Sequence, residues 1–142
     1  MKRLLFFTPM FFAILTVSAQ QPGVQPDDPA FIAKYANFNF KGKFASVIES
    51  DGINNYFLLD FSQLPTRFDR VYFMNVSFAS KEIINIDPDL NKTRVCFMAN
   101  VKYDQNEVLA IYDDIKKKVV ETSFSLPADK KAEWLKNNDK YN

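Results

Sequence analysis

Apolar positions along this chain form one unbroken run, several alternating stretches and one helical stripe. The run is Leu4 to Val17, interrupted only by Thr8, Pro9 and Thr16. A basic start, Met1-Lys2-Arg3, precedes it, and the small residues of Val17-Ser18-Ala19 follow. This three-part order predicts a secretory signal peptide over residues 1–19, cut after Ala19 or, as a second choice, after Gln20. The run is shorter than the ~20 apolar residues of a transmembrane helix. An uncleaved N-terminal anchor is the competing reading. Residues 20–29 hold Gln20, Gln21, Pro22, Gly23, Gln25, Pro26 and Asp27-Asp28, which reads as a flexible linker. Residues 30–142 then form a single globular domain.

Asp28-Pro29 has the cap and first-turn residues of a helix start, with Phe31, Ile32 and Tyr35 as its apolar face. From Phe38 to Ser50 the pattern alternates, with Phe38, Phe40, Phe44 and Ile48 on one parity, which predicts a half-buried strand. Asp51-Gly52 is a two-residue hairpin signal, and Ile53 to Phe61 is the return strand. That register sets Phe44 opposite Leu59, Ser46 opposite Phe57 and Lys43 opposite Asp60 as an ion pair. Ser62 to Asp69 reads as a loop or one helical turn. Val71 to Ala79 is apolar on both parities, which predicts a central strand. Glu82 to Ile86 is a shorter strand, Asp87 to Asn91 a turn, and Thr93 to Tyr103 another alternating strand.

The period changes at Asp104. Asp104 and Glu107 have capping-box spacing, and Val108, Ile111, Tyr112, Ile115 and Val119 recur at helical intervals. A helix over 105–118 follows, a hairpin turning at Asp113-Asp114 being the alternative. Val119 to Leu126 reads as a last strand. Pro127 to Asn137 reads as a C-terminal helix docking through Ala132, Trp134 and Leu135. The expected fold class is α+β: a mainly antiparallel β-sheet of about six strands with two or three helices. If 105–118 were strand, an all-β sandwich or small barrel would result.

Composition narrows the chemistry. Loss of the leader would leave 123 residues carrying 16 basic and 17 acidic side chains, a balance of −1. Such a mixed surface offers no general attraction to nucleic acid, so no nucleic-acid partner is expected. Lys116-Lys117-Lys118, the one basic run, follows Asp113-Asp114 and reads as a solvated face. With one cysteine, Cys96, the chain has no internal disulfide, and stability must come from packing. Cys96 sits in apolar sequence and reads as buried and inert. Eleven of the 15 phenylalanines lie beyond the leader and supply that packing.

The chain has no histidine. Histidine-activated nucleophiles and histidine metal sites are therefore excluded, and no catalytic residue, metal ligand or cofactor is assigned. Asp87, Asp89 and Asn91 have the opening spacing of a calcium loop, but Lys92 and Met98 stand where its glycine and bidentate glutamate belong. The acids Glu49, Asp51, Asp60 and Asp69 have no spacing that selects two of them as a hydrolase pair. Asn75-Val76-Ser77 and Asn91-Lys92-Thr93 are glycosylation sequons.

The sequence thus describes a small exported domain, periplasmic or extracellular, without a membrane span after processing. The leading expectation is a non-catalytic binding or scaffolding module of a bacterial envelope, with a protein partner met at a sheet face or edge. A carrier or sensor of an apolar small molecule is the alternative, and a carboxylate-dependent hydrolase ranks third. No ligand-binding residues are assigned.

Overall fold

A computed structural model describes residues 28–84 and 89–141. The expected signal peptide, residues 1–19, and most of the expected linker, residues 20–29, lie outside the described residues. The element order is α1 (Pro29–Ala33), β1 (Ala45–Ser50), β2 (Asn54–Asp60), a 3₁₀ turn (Phe61–Gln63), α2 (Arg67–Ser77), β3 (Arg94–Asn100), α3 (Gln105–Ser125) and α4 (Ala128–Asn138). The described residues hold three antiparallel strands in one sheet, ordered β1-β2-β3, with four α-helices. Helices on an antiparallel sheet remain within the α+β class. The expected architecture, mainly antiparallel sheet with about six strands and two or three helices, is overturned, as is the all-β sandwich or barrel alternative, because 105–118, Val71–Ser77 and Val119–Ser125 are helical.

The hairpin is present, with its loop one residue later than expected and the pairing beside it shifted by two. Asp51 N–H donates to the Asn54 carbonyl at 3.1 Å, so the loop is Gly52-Ile53. Gly52 takes φ 84°, and Asp51 Oδ1 accepts from the N–H groups of Ile53 and Asn54 at 2.9 and 2.7 Å. Asp51 is thus the anchor of the turn and not its first loop residue. A bulge between Val47 and Glu49 shifts the pairing again. Leu59 therefore faces Ala45, and Phe57 faces Val47. The bulge also separates Phe44 and Ile48, which pack in different clusters. The strand starts late because Lys41 and Gly42 turn the chain at φ 51° and 79°.

The expected central strand Val71–Ala79 is helix α2. Thr66 and Asp69 form a capping box: Asp69 N–H donates to Thr66 Oγ1 at 3.1 Å, and Thr66 N–H to Asp69 Oδ2 at 3.0 Å. Phe68, Val71, Met74 and Ser77 follow at intervals of three and are buried. A helical face visits odd and even positions alike, and that produced the two-sided apolar pattern.

The expected last strand, Val119–Leu126, is also helix. Val108, Tyr112, Ile115 and Val119 form one buried stripe at spacings of four, three and four, so Val119 continues α3. Pro127, which cannot continue the ladder, follows its end. Instead of a Glu82–Ile86 strand, the described part shows a single bridge, Ile84 to Met98. Residues 85–88, including part of the Asp87–Asn91 turn, lie outside the described residues. α1 and α4 form near their expected bounds, with Asp28 Oδ1 accepting from Ala30 N–H at 2.9 Å.

Two apolar clusters flank the sheet. The larger one joins Phe44, Phe57, Leu59, Phe61 and Phe97 of the sheet layer to Val71, Phe73, Met74, Val108, Tyr112 and Val119 of α2 and α3. The smaller one is Phe31, Tyr56 and Cys96, with Ile32, Tyr35, Ile48 and Met98 around it. α1 supplies its outer half. α4 docks through Trp134 and Leu135, with the Trp134 ring 5.2 Å from Phe68 and 5.4 Å from Tyr72, while Ala132 stays exposed. Arg67 then clamps the chain end through Asp139, with Nε to Oδ2 at 2.8 Å, and through the Tyr141 carbonyl at 2.9 Å.

Candidate binding surface

The acids singled out in the sequence are committed to local structure. Glu49 accepts from the Tyr35 hydroxyl and lies 3.6 Å from Lys34 Nζ. Asp51 adds the Tyr56 hydroxyl, at 2.7 Å, to its turn contacts. The Asn54 N–H bond, then the Tyr56 hydroxyl, lowers the Asp51 pKa. Burial, reinforced by the Glu49 hydrogen bond, pushes the Tyr35 hydroxyl up to about 12. Asp60 makes no ion pair with Lys43. It caps the 3₁₀ turn, accepting from Ser62 N–H at 3.2 Å, while Gln63 Nε2 bridges Asp60 Oδ2 and the Lys43 carbonyl, each at 3.1 Å. Asp89 Oδ1 bonds the Asn91 N–H at 3.0 Å, the local role of an Asx turn. Among the described residues, no three His, Cys, Asp or Glu side chains cluster as a metal site would require.

Cys96 is buried as expected, and desolvation raises its thiol pKa to about 12. Asn75, the first sequon residue, stands on α2 with Nδ2 3.5 Å from the Asn138 carbonyl.

The surface feature that sequence reading missed is on α3. Phe124 is 93% exposed and Val120 is 50% exposed. They lie four residues apart, on one side of the helix and next to the buried Ile115–Val119 stripe. Beside them runs a groove of about 240 Å³, walled by Gln63, Pro65, Asp69, Val120, Ser123 and Phe124. Asp69 is buried, and its Oδ1 has no hydrogen-bond partner. The α3 stripe could have been seen by carrying the helical period past Val119. Reading that segment as strand hid it.

A second groove of about 480 Å³ lies between α1 and the start of β3. Pro29, Ile32, Ala33 and Ala36 make one wall, and Asn91 to Arg94 make the other. A sheet face or edge was the expected meeting place for a partner; the β1 edge carries the bulge, which breaks the regular ladder a partner strand needs. No helix among the described residues is long and apolar enough to cross a membrane.

No protein-family model matches this sequence, and no curated protein or solved structure is significantly similar to it.

Proposed function

We propose that this chain is a small exported module of a bacterial envelope that binds a protein partner through the Val120–Phe124 face of α3. The observation that supports this reading is the 93% exposure of Phe124. A phenylalanine so exposed gives up a burial gain of about 1.5–3 kcal/mol that contact with a partner would recover. With Val120 beside it and a groove next to both, it has the form of an aromatic anchor at an interface. Export rests on the leader pattern of residues 1–19.

Site-specific photo-crosslinking in the native host tests the proposal. A benzophenone side chain at position 124 should give one discrete adduct, identifiable by mass, and the same probe at Lys136 on α4 should not. Equal crosslinking from both positions, or none from 124, would remove the α3 face as the binding surface. The intact mass of the isolated chain should begin at Gln20 or Gln21.

The second groove favours one other reading, a carrier of an apolar small molecule. Its volume of about 480 Å³ lies within the range of ligand sites, and Ile32 and Ala33 make an apolar wall. A removable adduct in native mass spectrometry would favour that reading over the first.

A further inference from the structure

The groove between α1 and the start of β3 has one apolar wall and one basic wall. The α1 side presents Ile32 and Ala33, and the β3 side carries Lys92 and Arg94 with no acid among the lining residues. Lys92 is exposed and Arg94 half-buried, and neither forms an ion pair among the described residues. Three carboxylates close in the chain or the ladder are engaged elsewhere. Asp28 Oδ1 accepts from Ala30 N–H at 2.9 Å, and Asp89 Oδ1 accepts from Asn91 N–H at 3.0 Å. Asp60, opposite Arg94 in the sheet, caps the 3₁₀ turn.

The nitrogens of the Arg94 guanidinium are not equivalent. Nε is buried, beyond the reach of an occupant, and Nη2 donates to the Phe38 carbonyl at 3.4 Å. Nη1 is neither buried from water nor bonded among the described residues, so it is the donor that Arg94 offers to the groove.

We propose that this groove binds a small amphipathic monocarboxylate, its headgroup accepting from Arg94 Nη1 beside the Lys92 ammonium and its hydrocarbon tail lying along Ile32 and Ala33. The inference rests on the carrier reading of this groove and names the chemistry of the ligand; it does not depend on the α3 face. Charge selects the headgroup. Two cations without a carboxylate partner gain a charge-assisted hydrogen bond only from an anion. One guanidinium nitrogen and one ammonium match the single charge of a carboxylate. The two-nitrogen fork of an arginine is not on offer here, so the exposed Thr93 hydroxyl on the same wall supplies a donor for the second oxygen. The opposite wall selects the tail, because apolar surface there is covered only by an apolar group. At about 480 Å³ the groove has the volume of a small-molecule site.

The test titrates three probes of one tail length into the isotope-labelled chain, produced with its own leader, at neutral pH: octanoate, 1-octanol and octylammonium. Octanoate should shift the backbone amides of Ile32, Ala33, Lys92 and Thr93 and bind about tenfold more tightly than 1-octanol. Octylammonium should leave those amides unmoved. Arg94→Gln should erase the preference for octanoate over 1-octanol. Lys92→Glu covers the case in which Arg94→Gln does not fold: residue 92 is exposed, and a carboxylate there should weaken octanoate about tenfold while sparing 1-octanol. Octylammonium binding as well as octanoate, or shifts confined to other surfaces, would overturn the inference. If 1-octanol moves the groove amides as strongly as octanoate, the apolar-carrier reading stands and anion recognition alone falls. If no probe binds the groove, both fall.

Discussion

Tyr112 shows how a single atom departs from an otherwise apolar core. Its ring lies 5.5 Å from Phe57 and 5.9 Å from Phe97, yet its hydroxyl is buried without a hydrogen-bond partner. Burial holds the Tyr112 pKa well above the ordinary tyrosine value, so the group stays neutral at any physiological pH. A buried, unsatisfied hydroxyl costs about 1–3 kcal/mol, whereas phenylalanine leaves the same shape and no debt to water. Tyr112→Phe is therefore expected to stabilise the protein by about 1 kcal/mol. In urea this would be read as a higher midpoint with an unchanged slope, and a lower midpoint would mean that the hydroxyl is satisfied. At this scale the sequence was partly legible. Burial of Cys96 followed from its apolar neighbours, and the helix-starting role of Asp28 followed from Pro29. The Asp69 environment was not legible, because it depends on α3 lying beside the α2 terminus, a contact between positions some 50 residues apart in the chain.

Among the elements, α2 depends on a local signal at its first turn. The reciprocal Thr66 and Asp69 bonds satisfy backbone N–H groups that the helix itself leaves free. Thr66→Ala should destabilise the protein by about 1 kcal/mol, measured by chemical denaturation, and combining it with Asp69→Ala should cost less than the two single losses added. Strict additivity would show that the pair does not act as a box. That same signal, Thr-x-x-Asp ahead of an apolar stretch, was present in the sequence. It went unread, because the aromatic and β-branched content of Val71 to Val76 resembles a strand when parity alone is considered. The hairpin was found because Asp51-Gly52 marks a turn, but its register was not. Which residue pair closes a two-residue loop depends on backbone angles, and here the Asp51 carboxylate selected Gly52-Ile53.

For the molecule as a whole, the sheet is covered unequally. One face is packed against α2 and α3, and the other receives the short α1, held mainly by Phe31 between Tyr35 and Tyr56 at 5.5 and 5.6 Å. Cys96 lies beneath that contact. In the native protein the thiol should resist iodoacetamide at pH 8, because burial both hides it and raises its pKa to about 12. Phe31→Ala removes the contact and should allow Cys96 to be alkylated while far-UV circular dichroism still reports folded α3. Alkylation that begins only with global unfolding would mean that α1 does not act as a separate cover. The presence of both strands and helices was legible from the mixture of alternating and helical periods, but their balance was not. Nor was the number of strands, since two helices, α2 and the end of α3, carry strand-forming residues that tertiary packing overrode.

The β1 bulge has a further consequence for life in a crowded compartment. A three-stranded sheet has two raw margins, and each is a template on which another copy could grow a fibre. Here the β1 margin is kinked between Val47 and Glu49, and the β3 margin is met by Ile84 at Met98. The irregular step in β1 thus discourages the chain from polymerising, while the exposed Val120 and Phe124 are displayed on a helix, where contact with a neighbour does not propagate.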